Sequence, residues 1–170
     1  WEGAGSHELF GRTLANVGDL DGGGKSDLLV GAPQASVGSN WGCGVVHLYR
    51  GEDGTRLSTL VGQGQDYIGM HVAAAGDMNR DGRPDMLVGT SAGARGEVGA
   101  WSYDPRTNQW SQLWARRGDP GDQAYTGQAI AGANGDGVPD ALIGAYGANR
   151  GLGRVRLVSG TNGDLIREWD

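Results

Sequence analysis

The chain has 170 residues, enough for one ordinary domain or a set of small repeats, and its 34 glycines follow no collagen-like period. A formal charge of -6 repels phosphate backbones and anionic bilayers, which argues against nucleic acid as a partner. No apolar run reaches the roughly 20 residues that span a bilayer, so no membrane insertion is expected, and the single cysteine, Cys43, excludes an intrachain disulfide framework or a multi-cysteine zinc site.

From the N-terminus, Phe10-Gly11 leads into a first predicted strand at Leu14–Val17. DLDGGGKSD follows over Asp19–Asp27, then a strand around Leu28–Val30 that runs into Gly31-Ala32-Pro33. A third strand is predicted over Val45–Tyr49 and a fourth near Leu57–Val61, joined through Asp53-Gly54, a favoured hairpin dipeptide. Short Val/Leu-rich runs bounded by Gly, Asp and Asn predict strands, and with no sustained 3.6-residue period no helix is predicted.

The same order then recurs. Ile68-Gly69 precedes DMNRDGRPD (Asp77–Asp85) and MLVG; Thr126-Gly127 precedes GANGDGVPD (132–140) and ALIGA. The offsets are 58 residues (77 minus 19) and 55 residues (132 minus 77), giving repeats of approximately 1–59, 60–116 and 117–170. Four strands in about 50–60 residues is the size of a β-propeller blade, so the expected fold is all-β, three four-stranded blades. Trp1-Glu2-Gly3 takes the repeat position of Leu60-Val61-Gly62, and the chain ends at the equivalent Trp169-Asp170. Propellers close with four to eight blades, so three blades call for a second copy joined head to tail, or for further blades from a longer parent chain, the reading favoured here.

The loop ahead of each second strand carries the chemistry. In loop 2, Asp77, Asn79, Asp81 and Asp85 fall at positions 1, 3, 5 and 9, and Gly82 at position 6 permits a sharp reversal. Oxygens at alternating positions converge on a point and repel one another without a cation; with the position-7 carbonyl of Arg83 they suit Ca2+ better than magnesium or a His/Cys-seeking metal. An EF-hand would need Glu at position 12, which is Val88 here. Loop 1 keeps Asp19, Asp21, the Lys25 carbonyl position and Asp27 but has Gly23 at position 5. Loop 3 keeps Asn134, Asp136, the Val138 carbonyl position and Asp140 but has Gly132 at position 1. Loop 2 therefore ranks first. The competing reading is that these side chains only form Asx-turns.

Phe-Gly, the D-x-D/N-x-D-G-x-x-D loop and Leu-Leu-Val-Gly-Ala-Pro together resemble the FG-GAP repeat of integrin α-subunit propellers and bacterial relatives, across essentially the whole chain. The resemblance implies calcium in hairpin loops on one face of a propeller and an extracellular, secreted or cell-surface role in adhesion or ligand binding. The expected partner is a protein or glycan ligand. A propeller lectin, with inter-blade pockets built from Trp and His or Asp, and an accessory region of a secreted hydrolase are the alternatives.

Other signals point elsewhere and fail. Gly24-Lys25-Ser26 imitates the end of a P-loop, but the required first glycine is Asp19. Arg117-Gly118-Asp119 sits where a turn between repeats is expected, and composition alone accounts for it. His7-Glu8 lacks a second histidine, and Cys43 with His47 reads as a half-buried thiol, so no enzymatic activity is expected. Among six tryptophans, Trp1 and Trp169 read as packing, Trp101, Trp110 and Trp114 cluster in repeat 2, and Trp41 is the candidate for an exposed ligand contact.

Overall fold

The computed structural model describes residues 7–91, 95–122, 124–130 and 132–170. Its strands are β1 (Thr13–Gly18), β2 (Asp27–Ala32), β3 (Val45–Tyr49), β4 (Arg56–Val61), β5 (His71–Gly76), β6 (Asp85–Thr90), β7 (Glu97–Asp104), β8 (Gln109–Arg117), β9 (Ala124–Ile130), β10 (Asp140–Ala145), β11 (Arg154–Val158) and β12 (Leu165–Trp169). They form three four-stranded antiparallel sheets, each taking its strands in chain order: β1-β2-β3-β4, β5-β6-β7-β8 and β9-β10-β11-β12. These are the three expected blades. Sequential hairpins produce this meander because every connection within a blade is short enough for antiparallel neighbours.

Burial follows the stacking of the blades. Val17, Leu29, Val46 and Leu48 of blade 1 pack on Val72, Met86, Val88 and Tyr103 of blade 2. On the other side of blade 2, Leu87, Val98, Ala100 and Trp114 pack on Ala141, Ile143 and Val158 of blade 3. The middle blade is covered on both faces, so β6 is buried at all six residues, whereas the terminal edge strand β12 is exposed at all five. Each fully buried Leu or Val in these interfaces contributes about 1.5–3 kcal/mol. The outward faces of blades 1 and 3 leave Leu14, Val155 and Trp169 exposed.

The Phe-Gly and Gly-Ala-Pro signatures meet at the blade junction. Gly11 donates its N–H to the Gly31 carbonyl within blade 1, and Gly69 does the same to Gly89 in blade 2. Thr13 Oγ1 donates to the Gly69 carbonyl at 2.9 Å across the junction. A Cβ at Gly31 would collide with that carbonyl and with the Thr13 hydroxyl, so glycine is what lets adjacent blades approach main chain to main chain.

One element was not expected. A four-residue helical turn, α1 (Ala148–Gly151), follows β10, with Asn149 and Arg150 in the left-handed region at φ 52° and 61°. Left-handed residues do not propagate a helix, so α1 is a tight reversal after the strand. Trp1 lies outside the described residues, and with it the expected packing of Trp1.

Candidate metal centre

The three loops occupy the first hairpin of each blade: residues 19–27 between β1 and β2, 77–85 between β5 and β6, and 132–140 between β9 and β10. Position 6 is left-handed in all three, with Gly24, Gly82 and Gly137 at φ 80°, 85° and 79°. Position 4 is left-handed as well, at Gly22, Arg80 and Gly135. These turns fold the loop back on itself and bring its odd-numbered positions together.

Position 9 anchors each loop. Asp27, Asp85 and Asp140 are buried, and each uses Oδ2 to accept the main-chain N–H groups of positions 2 and 3. The other oxygen distinguishes the blades. Asp27 Oδ1 accepts the N–H of Gly51 at 3.1 Å, and Asp140 Oδ1 accepts that of Gly160 at 3.1 Å. A Cβ at either glycine would strike a main-chain carbonyl, Ser26 or Pro139. In blade 2 the corresponding residue is Tyr103, which continues β7 in pairing with Trp110. Asp85 Oδ1 is accordingly buried without a hydrogen-bond partner.

Burial pushes the Asp85 carboxyl up to about 6. Ser102 beside it and the N–H groups of Met78 and Asn79 only partly oppose that shift, and the Asp81 charge adds to it. A buried carboxylate with an unmatched oxygen is the electrostatic situation that a bound cation relieves.

Loop 1 brings its acids closest. One oxygen each from Asp19, Asp21 and Asp27 lies within 4.8 Å of the others, the only such group of three acidic, His or Cys side chains among the described residues. Arg50, arriving from the end of β3, donates Nε to Asp21 Oδ2 at 2.6 Å and holds that carboxyl below its usual range. Asp21 Oδ1 is turned to the Gly23 N–H, and Asp19 caps Gly22 and Gly24.

Loop 2 is arranged differently. Asp77 accepts the N–H groups of Asp81 and Gly82, Asp81 Oδ1 accepts that of Arg83, and Asn79 Nδ2 donates to Asp81 Oδ2 at 3.0 Å and to Ser102 Oγ at 3.3 Å. In loop 3, Asn134 Nδ2 donates to Asp136 Oδ2, which also receives Thr161 Oγ1. The Val138 carbonyl lies 3.0 Å from where a Cβ of Gly132 would stand, so the position-7 oxygen faces the position-1 corner of the loop. Asx-turn bonds are thus present in all three loops. They leave lone pairs on the carboxylates, since each carboxylate oxygen can accept two bonds.

Adjacent loops touch. Pro84, at position 8 of loop 2, packs against Gly18 just ahead of loop 1, and Pro139 of loop 3 packs against Gly76 ahead of loop 2. Arg80 Nη2 donates to the main-chain carbonyl of Asp136. Arg50, Ser102, Thr161, Arg80 and the two prolines escaped the sequence reading, because each acts on a loop from another hairpin or another blade. The recurrence of proline at position 8 of loops 2 and 3 was the one signal available.

The remaining candidates fall away from the loops. Trp41 is 74% exposed in the β2–β3 connection, at the end of blade 1 opposite loop 1. Cys43 is fully buried, with its thiol on the Ala35 carbonyl, while His47 Nδ1 pairs with Thr59 Oγ1, so the two do not form a dyad. Asp119 of the Arg117-Gly118-Asp119 tripeptide is bound by Arg154 and Arg156, and Arg117 by Glu97. Trp110 and Trp114 bond across the blade junctions to Ser58 Oγ and the Gly160 carbonyl.

Residues 19–88 match the FG-GAP-like repeat family. Over 156 residues the chain is 29% identical to integrin alpha-7 of Rattus norvegicus, a match covering 88% of this chain and 14% of that protein. Integrin alpha-E of Homo sapiens is 35% identical over 91 residues, 48% of this chain and 8% of the relative. The chain therefore spans about one seventh or less of the length of these relatives. In fold, 90% of it superposes on 30% of a Bacillus licheniformis rhamnogalacturonan lyase with a TM-score of 0.54 at 20% identity. An exotype rhamnogalacturonan lyase gives 0.52 at 19% identity over 90% of this chain and 29% of the lyase. Those two likenesses concern the β-propeller architecture alone.

Proposed function

Because this chain is an FG-GAP, integrin-like repeat domain, we propose that it is a non-catalytic recognition module whose first-hairpin loops are braced by calcium. The observation that carries the metal is the convergence of Asp19, Asp21 and Asp27 within 4.8 Å in a loop that recurs, with oxygen donors only, in each blade. Loop 2 supplies Asp77, Asn79, Asp81, the Arg83 carbonyl and Asp85, and loop 3 supplies Asn134, Asp136, the Val138 carbonyl and Asp140. The ion offsets the mutual repulsion of the carboxylates and fixes the loop face of the propeller.

Affinities of about 10⁻⁴–10⁻³ M, the range of extracellular modules, suit a secreted or cell-surface setting. The partner is a protein or glycan ligand, and further blades, from a parent chain or a second copy, cover the outward faces of blades 1 and 3. An accessory role in a larger polysaccharide-acting enzyme is the second reading, favoured only by the likeness in fold to the lyases.

Calorimetry on chelator-stripped protein tests the metal. The expected result is saturable calcium uptake and a higher melting temperature on adding calcium back. No heat and no thermal shift would overturn it.

A further inference from the structure

The chain holds two Asn-Gly dipeptides, Asn134-Gly135 in loop 3 and Asn162-Gly163 in the turn between β11 and β12, each followed by an aspartate. Asn-Gly is the pair most open to deamidation, because no side chain on the second residue hinders its main-chain nitrogen. The two asparagines are held alike. Asn134 Oδ1 accepts the Asp136 N–H at 2.9 Å and its Nδ2 donates to Asp136 Oδ2 at 3.0 Å. Asn162 makes the same two bonds with Asp164, at 2.9 and 2.8 Å. Both asparagines are exposed, and Gly135 and Gly163 are both left-handed, at φ 80° and 74°.

The two dipeptides differ in the nucleophile. Gly163 donates its N–H to the Ser159 carbonyl at 2.7 Å, and it is buried against the Trp114 ring with Arg116 donating to its own carbonyl. The Gly135 N–H has no acceptor among the described residues, and nothing lies within 4 Å of where a Cβ of Gly135 would stand. The cause is the first position of the loop. In loop 1 the matching N–H, that of Gly22, is taken by Asp19 Oδ1 at 2.8 Å. Loop 3 has Gly132 in place of that aspartate, so no carboxylate reaches Gly135. An N–H without a partner is easier to deprotonate, and its nitrogen is easier to move, than one fixed inside a hairpin.

We propose that Asn134 is a site of spontaneous deamidation that remodels loop 3, while Asn162 is kept inert by its hairpin. The Gly135 nitrogen gives up its proton to solvent hydroxide and bonds to Asn134 Cγ; Nδ2 takes up a proton and leaves as ammonia, and a five-membered imide results. Water then opens the imide, so that one water is consumed and one ammonia released overall. Breaking the bond from the nitrogen to Cγ leaves aspartate on an unchanged backbone. Breaking the bond to the main-chain carbonyl carbon leaves isoaspartate, whose backbone runs through Cγ and is one atom longer. Either product replaces the amide that donates to Asp136 with a carboxylate, so loop 3 gains a negative charge. The aspartyl form carries at position 3 the acid that loop 1 carries at Asp21, and it faces Asp136 with no amide hydrogen between them. Loop 3 thereby comes to depend more strongly on a cation. That consequence rests on the calcium reading above, and the modification itself does not.

The test is to incubate the metal-stripped chain in mildly alkaline heavy-oxygen water, native and urea-unfolded side by side, and to follow both Asn-Gly peptides by mass spectrometry, each event leaving one labelled oxygen. In the native chain Asn134 is expected to convert about tenfold faster than Asn162, the factor that one hydrogen bond on the attacking nitrogen provides, and in the unfolded chain the two are expected to convert at similar rates. Gly132→Asp, which returns an acceptor to the first position, is expected to slow Asn134 several-fold and leave Asn162 unchanged. Equal native rates, or no conversion of native Asn134 over the time in which the unfolded chain reacts, would overturn the proposal. An unchanged Asn134 rate in folded Gly132→Asp would do the same. Calcium titration of Asn134→Asp, the aspartyl product made directly, is expected to show about tenfold tighter uptake at loop 3 than the parent chain, and equal uptake would overturn the remodelling. The two claims separate cleanly: unequal deamidation without calcium uptake overturns only the metal reading, and calcium uptake with equal deamidation overturns only this one.

Discussion

Loops 1 and 2 start from nearly the same nine residues and balance their charge by different means. Loop 1 lacks a side chain at position 5 but draws in Arg50, whose guanidinium bonds the position-3 carboxylate of Asp21. Loop 2 has the fuller ligand set, with an amide at position 3 that bonds Ser102, and leaves one oxygen of the buried Asp85 unmatched. One loop carries its own cation and the other lacks one. Counting ligands along the sequence ranks loop 2 first, and the unmatched oxygen gives that ranking a physical basis. The geometric convergence of acids, by contrast, is found in loop 1.

The largest effect separates the two anchors. Asp27→Ala strands three main-chain N–H groups, those of Leu20, Asp21 and Gly51, whereas Asp85→Ala strands two, those of Met78 and Asn79. At about 1–3 kcal/mol for each buried donor left unpaired, Asp27→Ala is expected to cost at least about 3 kcal/mol in metal-free protein and more than Asp85→Ala. Chemical denaturation of the two variants checks this, and the reverse order would break the distinction between the loops.

Next in size is the internal cation. Arg50→Ser gives loop 1 the residue type that blade 2 carries at Ser102, and removes a positive charge from the side of a would-be ligand. Calcium affinity at loop 1 is expected to rise about tenfold while loop 2 is unchanged. A fall in affinity would mean that Arg50 organises the site instead of competing with the ion.

Much of this was legible in the sequence, and what was not has a common cause. β3 was predicted residue for residue, and β1, β2 and β4 lie within two residues of expectation at each end, because short Val/Leu-rich runs bounded by Gly, Asp and Asn and an Asp-Gly turn are local signals. The reversal at Asn149 and Arg150 was missed because two adjacent left-handed non-glycine residues leave no compositional mark. The odd-position acids could be read from spacing alone. The guanidinium that reaches Asp21 comes from 29 residues away, and the strap from Arg80 to loop 3 spans 56, so no local pattern announces either.

A smaller effect comes from pH. The folded Asp85 carboxyl titrates near 6 against a model-peptide value of 3.8. Between those values the native state binds more protons than the unfolded state, so its stability falls as pH rises through that window and recovers on acidification. Metal-free protein should therefore melt at a higher temperature at pH 5 than at pH 7 through this group, and Asp85→Asn should remove that part of the slope. Saturating calcium at pH 7, by favouring the ionised carboxylate, should also flatten it. The smallest effect belongs to Arg80→Ala, which cuts the exposed strap between loops 2 and 3; a change of about twofold in calcium affinity at loop 3 is expected, as for other exposed polar contacts.

The most direct test of the calcium-braced account is an NMR titration of the metal-stripped chain that follows the position-6 amides of Gly24 and Gly82. Saturable shifts of both on adding calcium, with Gly82 saturating first and its response lost in Asp77→Ala, are the predicted result. Amides that stay still at millimolar calcium would contradict it and reduce the loops to Asx-turns.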